Sequence, residues 1–283
     1  MRYCVMVHGG VTTQLSKVGG CIQAADRAEK ILAEGGSALD AVVAATVVLE
    51  DDPNYNAGTG STPQLDGECE MDAGVMTSER KIGVVIAIRR VKNPILVARA
   101  VMEKTNHVIL ASEGATAFAR KMGFPDYNPL TEHRRKRLEQ FKAKLGKIKN
   151  PTYEDYLRIL DETDTVGVVT LDSEGRFATA NSTGGVSLKL PGRVGDSPIV
   201  GAGFYAGPAA AVVTTGVGEE IIRRIAAKEV YDLIAAGKSP QEACEEETAS
   251  FTQKIVFGVM AVTREASGWA ANRDMPVVVR KAD

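Results

Sequence analysis

The side chains best suited to chemistry lie in the second half of the chain, between residues 165 and 219. Thr165 stands at the start of an apolar, strand-like run, directly after an acidic segment. Three glycine-containing segments with hydroxyl or charged side chains follow, at residues 181–185, 192–198 and 214–219. A hydroxyl nucleophile, the opposite charges of Arg193 and Asp196, and flexible backbone donors are the parts needed for amide hydrolysis on an amino-acid-like substrate.

Each of these features also has a plainer interpretation. A threonine at the start of a strand is a common β-former, and Arg193 with Asp196 could be a surface ion pair. Residues 201–206 match GxGxxA, but a β-like run follows where a dinucleotide-binding motif requires a helix. We therefore expect no dinucleotide site, and the hydrolytic interpretation depends on the segments occurring together.

Histidine is scarce, which restricts the choice of catalytic base. The chain contains three: His8, His107 and His133. A Ser-His-Asp triad would have to use one of them, and a zinc site built from several histidines is not expected. If the chain is an enzyme, its base is expected to be something other than imidazole.

Composition and charge narrow the class of protein further. The chain has 283 residues, of which 44% are hydrophobic and 25% charged, as in an ordinary globular protein. Its 34 Lys and Arg residues nearly balance 36 Asp and Glu residues, so neither nucleic acid nor an anionic membrane is an expected partner. No apolar run reaches the roughly 18 residues that a membrane span requires.

The cysteines and the first residues indicate a cytoplasmic location. Cys4, Cys21, Cys69 and Cys244 form no CxxC pair, which suits reduced thiols. His8 follows the start before an apolar signal region could form, so no secretion signal is expected.

The pattern of the elements predicts an α+β fold in one domain. In the first half we expect a strand at 3–7, helices at 20–33, after Ser37, after Pro94 and after Ser112, and a strand at 82–88. In the second half we expect strands at 165–171, 176–180, 199–205, 210–215, 256–262 and 268–271, with helices at 219–236 and 240–254. Residues 134–149 carry eight Lys or Arg and one acid, a pattern typical of a solvated helix and linker.

These segments together resemble the plant-type asparaginase and isoaspartyl aminopeptidase family, whose relatives include glycosylasparaginase and threonine aspartase. The resemblance rests on residues 164–167, 182–185, 192–198 and 214–219, and in the first half on 8–10, 49–60 and 70–73. It extends from Tyr3 to about Trp269. It implies a four-layer αββα sandwich of the N-terminal-nucleophile hydrolase type.

The resemblance also implies that the chain cuts itself between Asp164 and Thr165. Residues 1–164 would become an α subunit, with 133–164 as a mobile tail, and residues 165–283 a β subunit. The cut would free the α-amine of Thr165, whose ordinary pKa of about 7.7–8.0 suits a general base. The scarcity of histidine would then be no obstacle.

Roles for the remaining site residues follow from the same resemblance. Thr165 would attack the side-chain amide of asparagine or the bond of a β-aspartyl dipeptide, oriented by Thr183. The other implied roles are an oxyanion hole from Thr215 and Gly216, substrate binding by Arg193, Asp196 and Gly218, and support from Gly9, Gly10 and Asn56. No cofactor is required, although a structural sodium ion on the loop from Leu49 to Thr59 is an expectation, as is a homodimer of αβ units.

Three positions depart from the family pattern and keep alternatives open. Asp164 replaces the usual Gly, Asn181 the usual Thr, and Val217 the usual His. Asp164 favours glycosylasparaginase-like action on glycosylated asparagine, whereas the intracellular character of the chain opposes it. A non-catalytic binding protein is a third interpretation, which the intact set of site residues opposes. The sequence does not rank asparagine, β-aspartyl dipeptides and glycosylated asparagine as substrates.

Overall fold

The computed structural model describes residues 2–147 and 165–283. The first of these segments contains the strands β1 (Tyr3–His8), β2 (Met71–Thr77), β3 (Ile82–Ile88) and β4 (Ile109–Ala111). Its helices are α1 (Val18–Ala33), α2 (Ala38–Asp51), α3 (Pro94–Lys104), α4 (Ser112–Lys121) and α5 (Glu132–Leu145).

The second segment completes both sheets. Its strands are β5 (Val166–Leu171), β6 (Phe177–Thr183), β7 (Phe204–Ala206), β8 (Ala211–Gly216), β9 (Phe257–Val262), β10 (Ser267–Ala271) and β11 (Val277–Ala282). Its helices are α6 (Gly218–Arg224), α7 (Ala226–Ala235) and α8 (Pro240–Ser250).

The strands form two sheets. The larger has the order β11-β1-β5-β6-β2-β3-β4, and the smaller has the order β10-β9-β8-β7. Neighbouring strands are antiparallel except for β3 and β4. The strand that follows Thr165 therefore lies in the middle of the larger sheet, between β1 and β6.

Three apolar clusters hold these elements together. The first lies between helices α1–α4 and the larger sheet, the second between the two sheets, and the third between the smaller sheet and helices α7 and α8. Alternate side chains of a strand point to opposite faces, so Val5 joins the first cluster and Met6 the second. Both faces of β1, β5 and β9 are buried, which explains the nearly continuous apolar runs of these strands.

The structure confirms the predicted α+β class and most of the predicted elements. The capping function predicted for Ser37 is present, because its Oγ accepts a hydrogen bond of 3.0 Å from the Asp40 backbone N–H. Ser112, in contrast, is the first residue of α4, and Ala111 is the N-cap.

Three strands escaped the sequence patterns: β2, β4 and β11. β2 contains Asp72 and Gly74, two residue types that are rare in strands, yet all seven of its residues are buried. Its neighbours β3 and β6 supply hydrogen bonds on both sides. Tertiary pairing thus outweighs the weak local preference.

Three predicted elements were wrong in extent, and the first is the helix predicted at 240–254, which ends at Ser250. Residues 199–203 form a bend and a turn instead of a strand, with an isolated β-bridge from Val200 to Phe204, and the Ile199 N–H donates to the Asp196 carbonyl oxygen at 2.8 Å. The predicted helix 219–236 is two helices, because Ile225 adopts the left-handed conformation (φ 54°) between them.

The basic run predicted as a solvated helix and linker forms α5 over residues 132–145. This helix also has a buried apolar side, in which Leu138, Phe141 and Leu145 pack with Leu188. The predicted tail 133–164 therefore begins as a packed helix. The rest of that tail, from residue 148 to Asp164, lies outside the described residues. Within the part of the chain that the structure describes, no helix is long and apolar enough to cross a membrane.

Candidate active site

The pairing of β5 with β6 brings together two of the predicted catalytic threonines. Val166 lies opposite Ser182 in the register, so Thr165 and Thr183 lie at the same end of the two strands. The Thr165 hydroxyl donates a hydrogen bond of 3.3 Å to Thr183 Oγ1. Thr183 Oγ1 also accepts a 2.9 Å bond from the Gly185 N–H, which fixes its orientation toward Thr165.

Asn56 holds the turn that follows Thr183. Its carbonyl oxygen accepts from the Gly184 N–H at 2.8 Å, and its side-chain amide donates to the Gly185 carbonyl at 2.6 Å. A Cβ on Gly184 would lie 2.4 Å from Asn56 Oδ1, so only glycine fits there. The predicted supporting residue Asn56 thus lies directly behind the turn.

Gly9 and Gly10 form a tight turn where β1 ends. Gly10 has a φ of 103°, and its N–H donates a 3.1 Å bond to His8 Nδ1. A side chain on Gly9 would collide with the Tyr55 ring, which lies 2.5 Å from the Cβ position. The turn is adjacent to the site because the Val11 N–H, just beyond it, lies 3.5 Å from Thr215 Oγ1 and donates to it.

The opposite charges of Arg193 and Asp196 converge on Gly218. A Cβ on Gly218 would lie 3.0 Å from Asp196 Oδ1 and 3.1 Å from Arg193 Nη2. The glycine therefore leaves the space in which both charged groups can reach one ligand. An amino acid carries both of the charges that this pair can bind, a carboxylate for Arg193 and an ammonium for Asp196.

Glu219 occupies the guanidinium of Arg193 and was missed as a site residue. The Arg193 Nε and Nη2 atoms donate to the two Glu219 carboxylate oxygens at 2.9 and 2.8 Å. A plane-to-plane pair of this kind is also how an arginine binds a free carboxylate. The available signal was the position of Glu219 at the end of segment 214–219.

Burial favours the neutral form of both carboxyl groups of this site, yet their net pKa shifts are opposite in direction. It raises the pKa of Asp196 to about 7, although the charge of Arg193 and a hydrogen bond from Thr214 act against the shift. Burial would also raise the pKa of Glu219, but its hydrogen bonds and ion pair with Arg193 hold that pKa below its ordinary value. Asp196 is therefore the acid of the site that a bound cation would ionise near neutral pH.

Gly216 has a backbone conformation that a larger residue would not adopt. Its φ is 143°, and a Cβ would lie 2.3 Å from the Val256 carbonyl oxygen. Gly216 borders the pocket, whereas Thr215 is fully buried beside it. The two predicted oxyanion-hole residues thus lie at the end of β8, against the start of β9.

A buried ionic cluster anchors the loop that carries Arg193. The Lys189 ammonium donates to the Glu70 carbonyl at 2.8 Å, and the Gly192 N–H donates to Glu70 Oε2 at 2.8 Å. Burial lowers the pKa of Lys189, although the nearby Asp72 acts against this. Lys189 was missed because lysine is normally an exposed residue type.

These groups surround one pocket with about 250 Å³ of empty space. Four of the residues that line it, Gly185, Val186, Gly195 and Ser197, were not predicted as site residues. The complete lining is Thr165, Thr183, Gly185, Val186, Arg193, Gly195, Asp196, Ser197, Gly216 and Gly218. Asp164, on the other side of the predicted cleavage site, lies outside the described residues.

In residues 2–147 and 165–283, no three or more His, Cys, Asp or Glu side chains are grouped so that they could hold a metal ion.

Comparisons with known proteins bear on this pocket. A family model described as Asparaginase matches residues 3–281. The chain is 43% identical over 283 residues to a plant-type L-asparaginase of Pyrococcus abyssi, covering 95% of this chain and 92% of that protein.

Two further relatives carry related names. The isoaspartyl peptidase/L-asparaginase of Homo sapiens is 41% identical over 283 residues, which cover 96% of this chain and 90% of that protein. The N(4)-(beta-N-acetylglucosaminyl)-L-asparaginase of Elizabethkingia miricola is 41% identical over 219 residues, which cover 77% of this chain and 62% of that protein.

Proposed function

The chain belongs to the asparaginase family and is an amidohydrolase acting on L-asparagine and isoaspartyl peptides, and we propose that Thr165 is its nucleophile. The observation that carries this proposal is the Thr165 hydroxyl, 3.3 Å from Thr183 Oγ1, in a pocket that Arg193 and Asp196 also line.

The first step is cleavage of the bond between Asp164 and Thr165. The Thr165 hydroxyl attacks the Asp164 carbonyl carbon, and the acyl group moves from nitrogen to oxygen to form an ester. Water then hydrolyses this ester, which leaves a carboxylate on residue 164 and a free α-amine on Thr165. The products are an α subunit of residues 1–164, with 133–164 as its tail, and a β subunit of residues 165–283.

The freed amine is the general base of turnover. Its ordinary pKa of about 7.7–8.0 leaves a useful neutral fraction at physiological pH. His8 is a poor alternative, although it lies opposite Gly167 in the register. Its Nδ1 already accepts from Gly10, and burial lowers its pKa to about 3.

In turnover the substrate binds through its α-carboxylate to Arg193 and through its α-ammonium to Asp196. The Thr165 oxygen attacks the side-chain carbonyl carbon while its proton moves to the α-amine. The oxyanion that forms is stabilised by the Thr215 hydroxyl and the Gly216 N–H. The amine then gives its proton to the leaving ammonia or peptide amine, and a β-aspartyl ester remains on Thr165.

Hydrolysis of that ester completes the cycle. The Thr165 amine takes a proton from water, the resulting hydroxide adds to the ester carbon, and aspartate leaves as the Thr165 hydroxyl is restored. Each oxyanion-hole donor is worth about 2.7–4 kcal/mol of activation free energy. Positioning by Arg193 and Asp196 contributes by holding the carbonyl carbon near the hydroxyl.

Substrate binding requires a rearrangement at Arg193. The guanidinium face that would bind a substrate carboxylate is occupied by Glu219, at 2.9 and 2.8 Å. The substrate carboxylate therefore competes with Glu219 or binds the remaining guanidinium N–H groups. The carboxylate of Glu219 is 44% exposed as a side chain, so water can stabilise it when it is released.

The architecture and environment of the protein are part of the proposal. We propose the four-layer αββα sandwich, which three apolar clusters alternating with the two sheets support. The four buried cysteines with free thiols support a reducing, cytoplasmic location. A homodimer of αβ units is proposed from the resemblance alone, and light scattering would test it.

A structural sodium ion on the loop from Leu49 to Thr59 remains a proposal. Leu49 to Asp51 form the end of α2 instead of a loop, and the main-chain oxygens of Glu50 and Asp52 each accept one backbone hydrogen bond, which leaves each a second lone pair for a hard cation. Comparison of the melting temperature in sodium chloride and in choline chloride tests it, because a bound ion would raise the temperature only in the former. No catalytic step uses the ion.

The decisive experiment compares the wild-type protein with Thr165→Ala and Thr165→Ser. Denaturing electrophoresis and mass spectrometry should show two fragments for the wild type and one uncut, inactive chain for the alanine variant. Thr165→Ser keeps the hydroxyl and should retain measurable cleavage and turnover. An uncut wild-type chain that hydrolyses asparagine would refute the amine-base mechanism.

A substrate panel separates the proposed function from its alternative. Glycosylated asparagine is a second candidate, favoured by Asp164, which resembles glycosylasparaginase at the cleavage site. The panel consists of asparagine, β-Asp-Leu and N4-glycosylated asparagine, with released aspartate measured in each case. A kcat/KM higher for the glycosylated substrate than for both others would establish the alternative.

A further inference from the structure

Ser197 places a second hydroxyl group within hydrogen-bond distance of the proposed nucleophile, Thr165. Its Oγ lies 3.3 Å from Thr165 Oγ1, the same distance that separates Thr165 Oγ1 from Thr183 Oγ1. Ser197 is 1% exposed and lines the pocket. The hydroxyl is therefore shielded from bulk water and directed at the atom that attacks the substrate.

The number of donors and acceptors on the Thr165 hydroxyl determines which group donates in its contacts with Thr183 and Ser197. A hydroxyl has one hydrogen and two lone pairs, and the Thr165 hydroxyl uses its hydrogen on Thr183. The contact with Ser197 then requires Ser197 to donate to Thr165 Oγ1. Among the described residues, Thr165 is the hydrogen-bond partner that the structure gives to the Ser197 side chain.

The backbone of Ser197 is held rigidly from behind. The Ile199 N–H donates to the Asp196 carbonyl at 2.8 Å, which closes the turn around Ser197. Gly203 packs against this turn so closely that a Cβ there would lie 2.8 Å from the Ser197 Cα. The Gly203 carbonyl accepts a 3.1 Å bond from the Asn181 amide of β6, which joins the turn to the central sheet.

We propose that Ser197 is a catalytic residue that donates a hydrogen bond to Thr165 Oγ1 as negative charge develops there. The inference rests on the proposed function, because it assumes that Thr165 attacks the substrate. Once the α-amine takes the Thr165 proton, the Thr183 hydroxyl can also turn to donate. The oxygen is then held by two hydroxyl donors, which orient a lone pair toward the substrate carbon and stabilise the attacking charge.

Because Ser197 directly follows Asp196 in the chain, the same turn binds the substrate and positions Thr165. Asp196 holds the substrate ammonium, and the following residue holds the nucleophile, so one short turn fixes the distance between substrate and Thr165. A fixed near-attack geometry of this kind is a large source of rate enhancement. It also separates the expected effects: loss of the Asp196 carboxylate impairs binding, whereas loss of the Ser197 hydroxyl impairs the chemical steps.

The test compares Ser197→Ala with Ser187→Ala in the purified enzyme, with asparagine as substrate. Ser187 is a buried serine of the same loop region that does not line this pocket, so it is a matched control. We expect Ser197→Ala to lower kcat about 10- to 100-fold with KM within about threefold, since charge-assisted hydrogen bonds have this strength. The rate of self-cleavage should fall too, because the same oxygen attacks. Ser187→Ala should retain wild-type kcat.

A second variant keeps the test decisive if Ser197→Ala fails to fold. Ser197→Cys nearly preserves the volume but donates weakly, so it should fold and still lower kcat. Wild-type kcat in either folded variant, or a rise in KM without loss of kcat, would overturn the inference. Failure of the proposed function looks different: the wild type would be inactive, or Thr165→Ala would remain active.

Discussion

Asp196→Asn should make the protein more stable and less active at the same time. Burial raises the pKa of Asp196 from its reference value of 3.8 to about 7. The folded state therefore binds a proton more tightly than the unfolded state. Stability from this group is fully present below pH 3.8 and is lost as the pH rises to about 7.

The magnitude follows from the shift. Between pH 5 and pH 7 the unfolded carboxyl group is ionised and the folded one still holds its proton. Each pH unit in that window costs about 1.4 kcal/mol, so the wild-type residue loses about 3 kcal/mol of stability between pH 5 and pH 8. An asparagine at this position stays neutral and keeps an oxygen that can accept from Thr214. It should avoid that loss.

The assay is urea denaturation at pH 5 and pH 8, with Thr165→Ala as the parent so that a single uncut chain unfolds. Buried acids such as Glu50, whose pKa burial raises to about 8, also titrate, but they are common to both proteins and cancel in the comparison. We expect Asp196→Asn to gain about 3 kcal/mol relative to the parent on going from pH 5 to pH 8. In the Thr165 background the same substitution should raise KM for asparagine.

A difference between Asp196→Asn and its parent that does not change with pH would refute the reasoning. It would mean that Arg193 offsets the effect of burial and that Asp196 is ionised throughout. In that case the activity would not decline on acidification from pH 8 to pH 6 through this group.

Three further predictions concern the site and the helix behind it. Glu219→Gln should lower KM for asparagine about two- to fivefold in steady-state assays. Glu219 competes with the substrate carboxylate for Arg193, and a half-exposed ion pair of this kind is worth up to about 1 kcal/mol. A higher KM would mean that Glu219 holds Arg193 in place. Gly216→Ala should lower kcat about 100-fold or more, because the clash with the Val256 carbonyl displaces an oxyanion-hole donor, and a kcat near that of the wild type would exclude this role. Leu138→Ala should lower the free energy of unfolding by about 2–3 kcal/mol without changing kcat. The free energy is measured by urea denaturation of the Thr165→Ala chain, and kcat by turnover of the processed enzyme. Equal stability would show that α5 is not anchored by this contact.

Much of the site was accessible from the sequence because it is written in short segments. Glycines that are required where the chain packs closely, at positions 184, 216 and 218, lie beside hydroxyl and charged residues in these segments. Each glycine proves to have a neighbouring group within about 3 Å of its Cβ position. The glycines in the sequence thus indicated positions at which other parts of the chain pack too closely to allow a side chain.

Other parts of the site could not be recognised in this way. Glu219, Ser197 and Lys189 are residue types that are normally exposed, and although Ser197 and Glu219 lie within the segments 192–198 and 214–219, the sequence does not show what they contact. Their importance comes from contacts across the fold: Glu219 with Arg193, Ser197 with Thr165, and Lys189 with the carbonyl of Glu70.

The sequence by itself determined the α+β class and the family, and it predicted Thr165 as the nucleophile, because periodicity, turn residues and motif spacing are local properties. The tertiary structure decided which side chains meet. The pairing of β2 with β6, the turn that directs Ser197 at Thr165, and the burial that raises the pKa of Asp196 all depend on segments far apart in the chain. Distances and burial arise only when those segments pack, and they determine how the groups of this pocket can react.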